Sequence, residues 1–297
     1  MNFTSGSREI TMFKVWKKIV NNLYIILLLL LLFITTISAQ TIKGNFNLLK
    51  NTSIRLEGFN GLKSYPISET KIDNEGNFTL KYSADDYGVG YLMASDNKPL
   101  YLILSGENIE VTGEALSYVE TIKITKGREN KWFEQYAKEH PKREQALSAW
   151  LYLEKMYFND SLFKVQKKPI EAIELEKKRI KTEDVEFINQ LPDKSYVKWF
   201  LPTRKLVSSV SVVAQYRTNE IPATIAAFRA LDYTDKRLYK SGLFKDAIES
   251  HFWLLENSGR SLDSVFIEMQ LSIDAMIIGL VKDEQKLNEV ADYLFDL

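Results

Sequence analysis

The side chains that could carry a reaction are few and poorly placed for it. There are two histidines, His140 and His251, and no cysteine in the 297 residues. Their spacing makes neither a metal site nor a catalytic pair, and a lone imidazole needs partners before it is a ligand. His140 precedes Pro141 at an expected helix break, where a solvent-facing place is expected. His251 lies in an apolar helical register and is expected in or at the edge of a core. Without cysteine, thiol nucleophiles, thiolate metal sites and CxxC redox work are excluded from these residues.

Carboxylates are abundant, so acid and base pairs can always be drawn. Asp232 and Asp235 flank Tyr233 and Thr234, and Asp85 with Asp86 precede Tyr87 and Gly88. Capping and turn formation account for both pairs better than proton transfer does. Asp73-Asn74-Glu75-Gly76-Asn77 lacks the spaced ligands and closing Glu of a calcium loop and reads as a turn. No HExxH, GxSxG or phosphate-binding loop is present. No catalytic, cofactor-binding or metal-binding residue is therefore assigned, and no cofactor is expected. Aromatic residues remain as recognition candidates. Trp132, Trp150, Trp199 and Trp253 are expected mainly in the core, whereas Tyr87, Tyr91 and Tyr101 could face a ligand or the helical part.

The elements that would position these residues fall into three stretches. Lys14, Lys17 and Lys18 precede an apolar run over 23–34, followed by small or polar residues to Ala39. That order is an export signal, and the run is short of the about 20 residues a spanning helix needs. Cleavage is expected between Ala39 and Gln40, with Met12 an alternative start. The expectation is an exported protein of the periplasm or cell envelope, touching the membrane only through this segment if it stays uncleaved.

Residues 40–126 are expected to form an antiparallel β-sandwich. Runs at 42–46, 53–59, 64–72, 77–82, 89–94, 100–104, 109–112 and 119–124 alternate in polarity or are rich in β-formers, with turn residues between. The stretches 73–76 and 105–108 are expected to close hairpins, since Asn and Gly accept left-handed backbone. Residues 127–297 switch to helical periodicity and are expected to hold seven to nine helices in an irregular bundle. Pro169 and Pro222 suit first turns, Ser261 and Asp283 suit caps, and Pro141, Pro192 and Pro202 are expected to mark breaks. The whole reads as an α+β chain. Its 39 basic and 39 acidic residues argue against a nucleic-acid binder that works by net charge.

Several stretches together resemble the N-terminal part of envelope thioredoxin-like disulfide reductases of the TlpA/ResA type. They are Ile42-Lys43-Gly44-Asn45-Phe46, the turn before Phe78, the run from Leu102 to Val111, the entry to the first helix from Ile124 to Asn130, and the run from Leu231 to Ser241. The resemblance implies a β-sandwich domain of unknown function, then a helical segment leading into a thioredoxin fold. Residues 287–297 match that last helix and carry no CxxC beyond it, so no catalytic residue carries over. A split or truncated gene, a stand-alone accessory protein and a fragment of a longer protein are all open. The resemblance implies a non-catalytic accessory module that binds a thioredoxin-fold protein or its own copies. The reading of a different class is a binding protein for a small ligand or glycan, held by aromatic residues between the sheets and helices. A third, a carboxylate-based hydrolase, requires two carboxylates about 5 to 10 Å apart in a cleft.

Overall fold

The computed structural model describes residues 39–297, so the expected signal segment lies outside the described residues except for its last position. Gln40–Leu297 form one compact unit. Among the described residues there are eight strands: β1 Gln40–Phe46, β2 Ser53–Asn60, β3 Lys63–Lys71, β4 Asn77–Tyr82, β5 Gly88–Ala94, β6 Leu100–Leu104, β7 Ile109–Gly113 and β8 Lys123–Lys126. Nine α-helices follow: α1 Arg128–Asn159, α2 Lys167–Gln190, α3 Tyr196–Ser208, α4 Val210–Tyr216, α5 Ile221–Arg229, α6 Lys236–Tyr239, α7 Phe244–Glu256, α8 Leu262–Leu280 and α9 Glu284–Asp296. The fold is α+β.

The strands make two four-stranded sheets, in the orders β4-β1-β7-β8 and β3-β2-β5-β6. Alternation explains their shared core: Phe78, Leu80 and Tyr82 of β4 turn inward, as do Ile54 and Leu56 of β2, while the residues between them meet solvent. The first sheet is mixed rather than antiparallel, because β1 runs parallel to β7. The stretches expected as hairpins reverse the chain but join strands of different sheets, β3 to β4 and β6 to β7. The Asp73 carboxylate accepts the amides of Glu75 at 2.9 Å and Asn77 at 2.8 Å, which shapes the turn without fixing how its flanking strands pair. The last expected strand starts later, at Lys123, after a short 3-10 turn over Val119–Thr121.

Two expected helix breaks do not occur. Pro141 lies inside α1 and Pro202 inside α3, each helix continuing past the missing N–H. Burial of Tyr136 and Leu147 on either side of Pro141, and of Leu201 and Thr203 beside Pro202, carries the helices through. Pro192 does follow the end of α2. Ser261 and Asp283 cap α8 and α9 as expected, accepting the amides of Ser264 and Lys286.

The β3-β2-β5-β6 sheet is covered on its second face by helices. Val89 and Ile103 pack there with Phe133 and Tyr136 of α1 and with Val197, Phe200 and Leu201 of α3. Polar groups fix this docking. Asn130, 1% exposed, receives the Ile103 amide on its side-chain oxygen and donates to the Ile103 carbonyl, both at 2.8 Å, so it completes the outer edge of β6. The Glu129 carboxylate accepts the Ser195 hydroxyl at 2.8 Å and the Val197 amide at 3.0 Å, which ties the start of α1 to the start of α3. From the other side, Tyr239 O accepts the Gly61 amide at 2.9 Å and Lys240 O the Val89 amide at 2.7 Å. Gly88 makes that approach possible, because a Cβ there would collide with the Lys240 carbonyl.

Candidate functional site

The helices do not cover the sheet completely. Between the β2–β3 turn, the outer faces of β5 and β6, and helices α1, α3 and α7 lies a cleft of about 480 Å³. Side-chain alternation puts Tyr91 of β5 and Tyr101 of β6 on the face opposite the shared core, and their ring centroids stand 6.0 Å apart. Phe59 lies 5.5 Å from Tyr91, and Phe133 and Phe200 form the facing wall, 5.8 Å apart edge to face. The Tyr91 hydroxyl donates to Glu57, and this bond is the main reason that carboxyl sits below the usual range. Tyr101 is 47% exposed, and its hydroxyl has no hydrogen-bond partner among the described residues.

The charged member of the wall is Arg204, one turn beyond Phe200 on α3. Its guanidinium lies 5.2 Å from the Phe133 ring centroid. Among the described residues no carboxylate comes within 4.0 Å of it. Burial pushes its pKa below the ordinary guanidinium value. A half-buried cation offset only by a ring face has electrostatic demand left over, and its planar fork suits a carboxylate or another planar anion. Asp246, in the first turn of α7, lines the same cleft, also without a salt-bridge partner. Loss of water raises its pKa, and the neighbouring Glu249 adds to the rise.

The other candidates resolve as structural. His251 is fully buried, stacked on Phe228 at 5.1 Å, with Nε2 3.1 Å from Ser272 Oγ, itself fully buried. Burial, with help from Arg229, lowers its pKa to about 4. The Ser272–His251 pair resembles a nucleophile and base, yet no substrate could reach a pair without surface. The expectation for His140 is corrected. It is not turned to solvent but stacks on Tyr136 at 4.7 Å, with Nδ1 2.9 Å from Asp184 Oδ1. The reason is the unbroken α1, which brings it against α2. Asp184 also accepts from Lys205 at 2.5 Å. Burial works to raise its pKa, but the bonds from His140 and Lys205 outweigh that and hold it at about 2.

The carboxylate pairs noted in the sequence serve turns. Asp235 caps α6, accepting the Arg237 amide at 2.8 Å; Asp232 accepts the Thr234 amide at 2.9 Å; Asp86 accepts the Ser83 amide at 2.8 Å. Among the described residues no three His, Asp or Glu side chains gather as a metal site. None of the four tryptophans expected in the core is fully buried, and Trp253 is 39% exposed. Tyr87 packs edge-on against Tyr82 instead of joining the cleft. No sequence motif marks Arg204 or Asp246. One signal for them does exist: Arg204 has Phe200, Leu201, Val207 and Ser208 at its helical neighbour positions, none acidic, and Asp246 has no basic residue at its own. The chain matches no protein-family model, no curated protein and no solved structure.

Proposed function

We propose that the chain is a non-catalytic binding protein, exported by its N-terminal signal, that takes a small ligand in the cleft between the β3-β2-β5-β6 sheet and the helices. The observation that carries this reading is Arg204, a guanidinium without a carboxylate partner among the described residues, set in an aromatic wall. The volume of about 480 Å³ is in the range of small-molecule sites. Export is compatible with the fold, since Ala39 is exposed and Gln40 opens β1 opposite Tyr82. Titration with 1-anilinonaphthalene-8-sulfonate, an aromatic anion, tests the cleft. Its fluorescence should rise on binding, and Ser64→Trp, a bulky change at the exposed rim, should weaken the binding at least tenfold. Unchanged binding by that variant would contradict the reading.

A second reading is favoured by a different surface. Helix α8 exposes Phe266, Ile267, Leu271 and Ile278, with Ile278 74% accessible, an apolar stripe on a helix otherwise packed against α5, α7 and α9. Such a stripe suits the accessory role implied by the likeness to thioredoxin-like reductases, with a thioredoxin-fold partner docked on it. Ile267→Glu combined with Ile278→Glu should then abolish capture of that partner from the cell envelope, and undiminished capture would count against it.

A further inference from the structure

Resting on the cleft-binding reading, we infer that the ligand is a small zwitterion with an apolar side group, an α-amino acid or its close analogue, held by Arg204 through its carboxylate and by Asp246 through its ammonium. The two groups come from α3 and α7, which pack against each other, and both line the same cleft. They are not paired with one another within 4.0 Å, nor with any other charged side chain among the described residues. Arg204 is half-buried and Asp246 exposed, so the cleft is bordered by one charge of each sign, neither neutralised by a partner.

The alternatives each leave one group unsatisfied. A simple anion would answer Arg204 and meet repulsion from Asp246, and a simple cation would do the reverse. A small molecule carrying both charges answers both, with its side group among Phe59, Tyr91, Tyr101, Phe133 and Phe200. Of the other cations in the lining, Lys245 attracts Asp246, but its nearest carboxylate partner is a different one. Lys245 stands 3.7 Å from Glu249 and 5.8 Å from the centre of the Tyr293 ring, and Lys63 lies on the exposed rim. The free Tyr101 hydroxyl supplies a further donor near the guanidinium, whose pKa Tyr101 influences. Guanidinium and carboxylate form two parallel hydrogen bonds, and an ammonium offers three donors to a carboxylate, so both contacts are charge-assisted.

The test is calorimetric titration of the full chain with L-phenylalanine, phenylacetate and phenethylamine. L-Phenylalanine should bind at least tenfold more tightly than either single-charge analogue, since each lacks one charge-assisted contact. Arg204→Gln should remove the preference for L-phenylalanine over phenethylamine, and Asp246→Asn the preference over phenylacetate. Because Asp246 is at the surface, its variant keeps the test open if Arg204→Gln unfolds, and Arg204→Lys should retain part of the affinity. Equal affinity for L-phenylalanine and either analogue would overturn the zwitterion assignment, as would variants that leave its binding unchanged. If the naphthalene sulfonate binds in the cleft but L-phenylalanine does not, the inference fails and the cleft reading stands. If neither binds, both fail.

Discussion

Replacing Asn130 by alanine should cost the protein about 4 kcal/mol of stability. The side chain makes two hydrogen bonds of 2.8 Å, one to each backbone group of Ile103, and both residues are buried. Its loss leaves one donor and one acceptor in a dry interface, and each costs about 1–3 kcal/mol. For a unit of this size that is a fall in melting temperature of roughly 10 °C, readable by circular dichroism and by the urea midpoint. Gln135→Ala, on the exposed face of the same helix, is the control and should change stability by no more than about 0.5 kcal/mol. The Ile103 amide should also exchange with deuterium far faster in the variant. A loss below about 1 kcal/mol would refute the claim that Asn130 clamps α1 to the edge of β6. The clamp bears on the cleft as well, because Tyr101 stands on β6 and Phe133 on α1.

Three more changes test the surrounding structure. The His251 pKa of about 4 lies below its unfolded value of 6.5, so its contribution is present above pH 6.5 and is lost as pH falls toward 4. The loss amounts to about 3 kcal/mol, and denaturation curves of the chain and of His251→Leu across that window should diverge accordingly. Lys205→Met removes one of the bonds that hold the Asp184 carboxylate, 3% exposed, and should destabilise by about 3 kcal/mol. Asp184 normally contributes stability above pH 3.8 that is lost as pH falls through about 2; in Lys205→Met that acid limb should move to higher pH. Gly242→Ala places a Cβ 2.8 Å from the Phe59 ring at a φ of +73°, and should cost about 2 kcal/mol in urea denaturation while narrowing the cleft.

Much of the architecture is legible in the sequence, because it follows from local periodicity. Phe78, Leu80 and Tyr82 announce an inward face by alternation alone, and the helical register of Phe244, Ala247, Ile248 and His251 places the histidine in the core. Strand partnership is not local. Asp73 to Gly76 dictates a reversal of the chain, but whether β3 and β4 then pair or part to opposite sheets is decided by burial of residues far away in sequence. The prolines fail for the same reason: the missing N–H of Pro141 is a local cost, and packing of α1 against β6 and α2 exceeds it. Of the cleft, the tyrosines of β5 and β6 could be suspected. For Arg204 the sequence offers only its acid-free helical neighbours, since its lack of a partner across the fold is a fact about α1, α3 and the sheet together.

Binding of an α-amino acid in the cleft beside Arg204 is read most directly from backbone amide shifts measured by NMR during titration with L-phenylalanine. Saturable shifts confined to Tyr91, Tyr101, Phe133, Arg204, Asp246 and their neighbours are expected. Shifts that instead spread along Phe266, Ile267, Leu271 and Ile278 of α8, with the cleft unmoved, would contradict it.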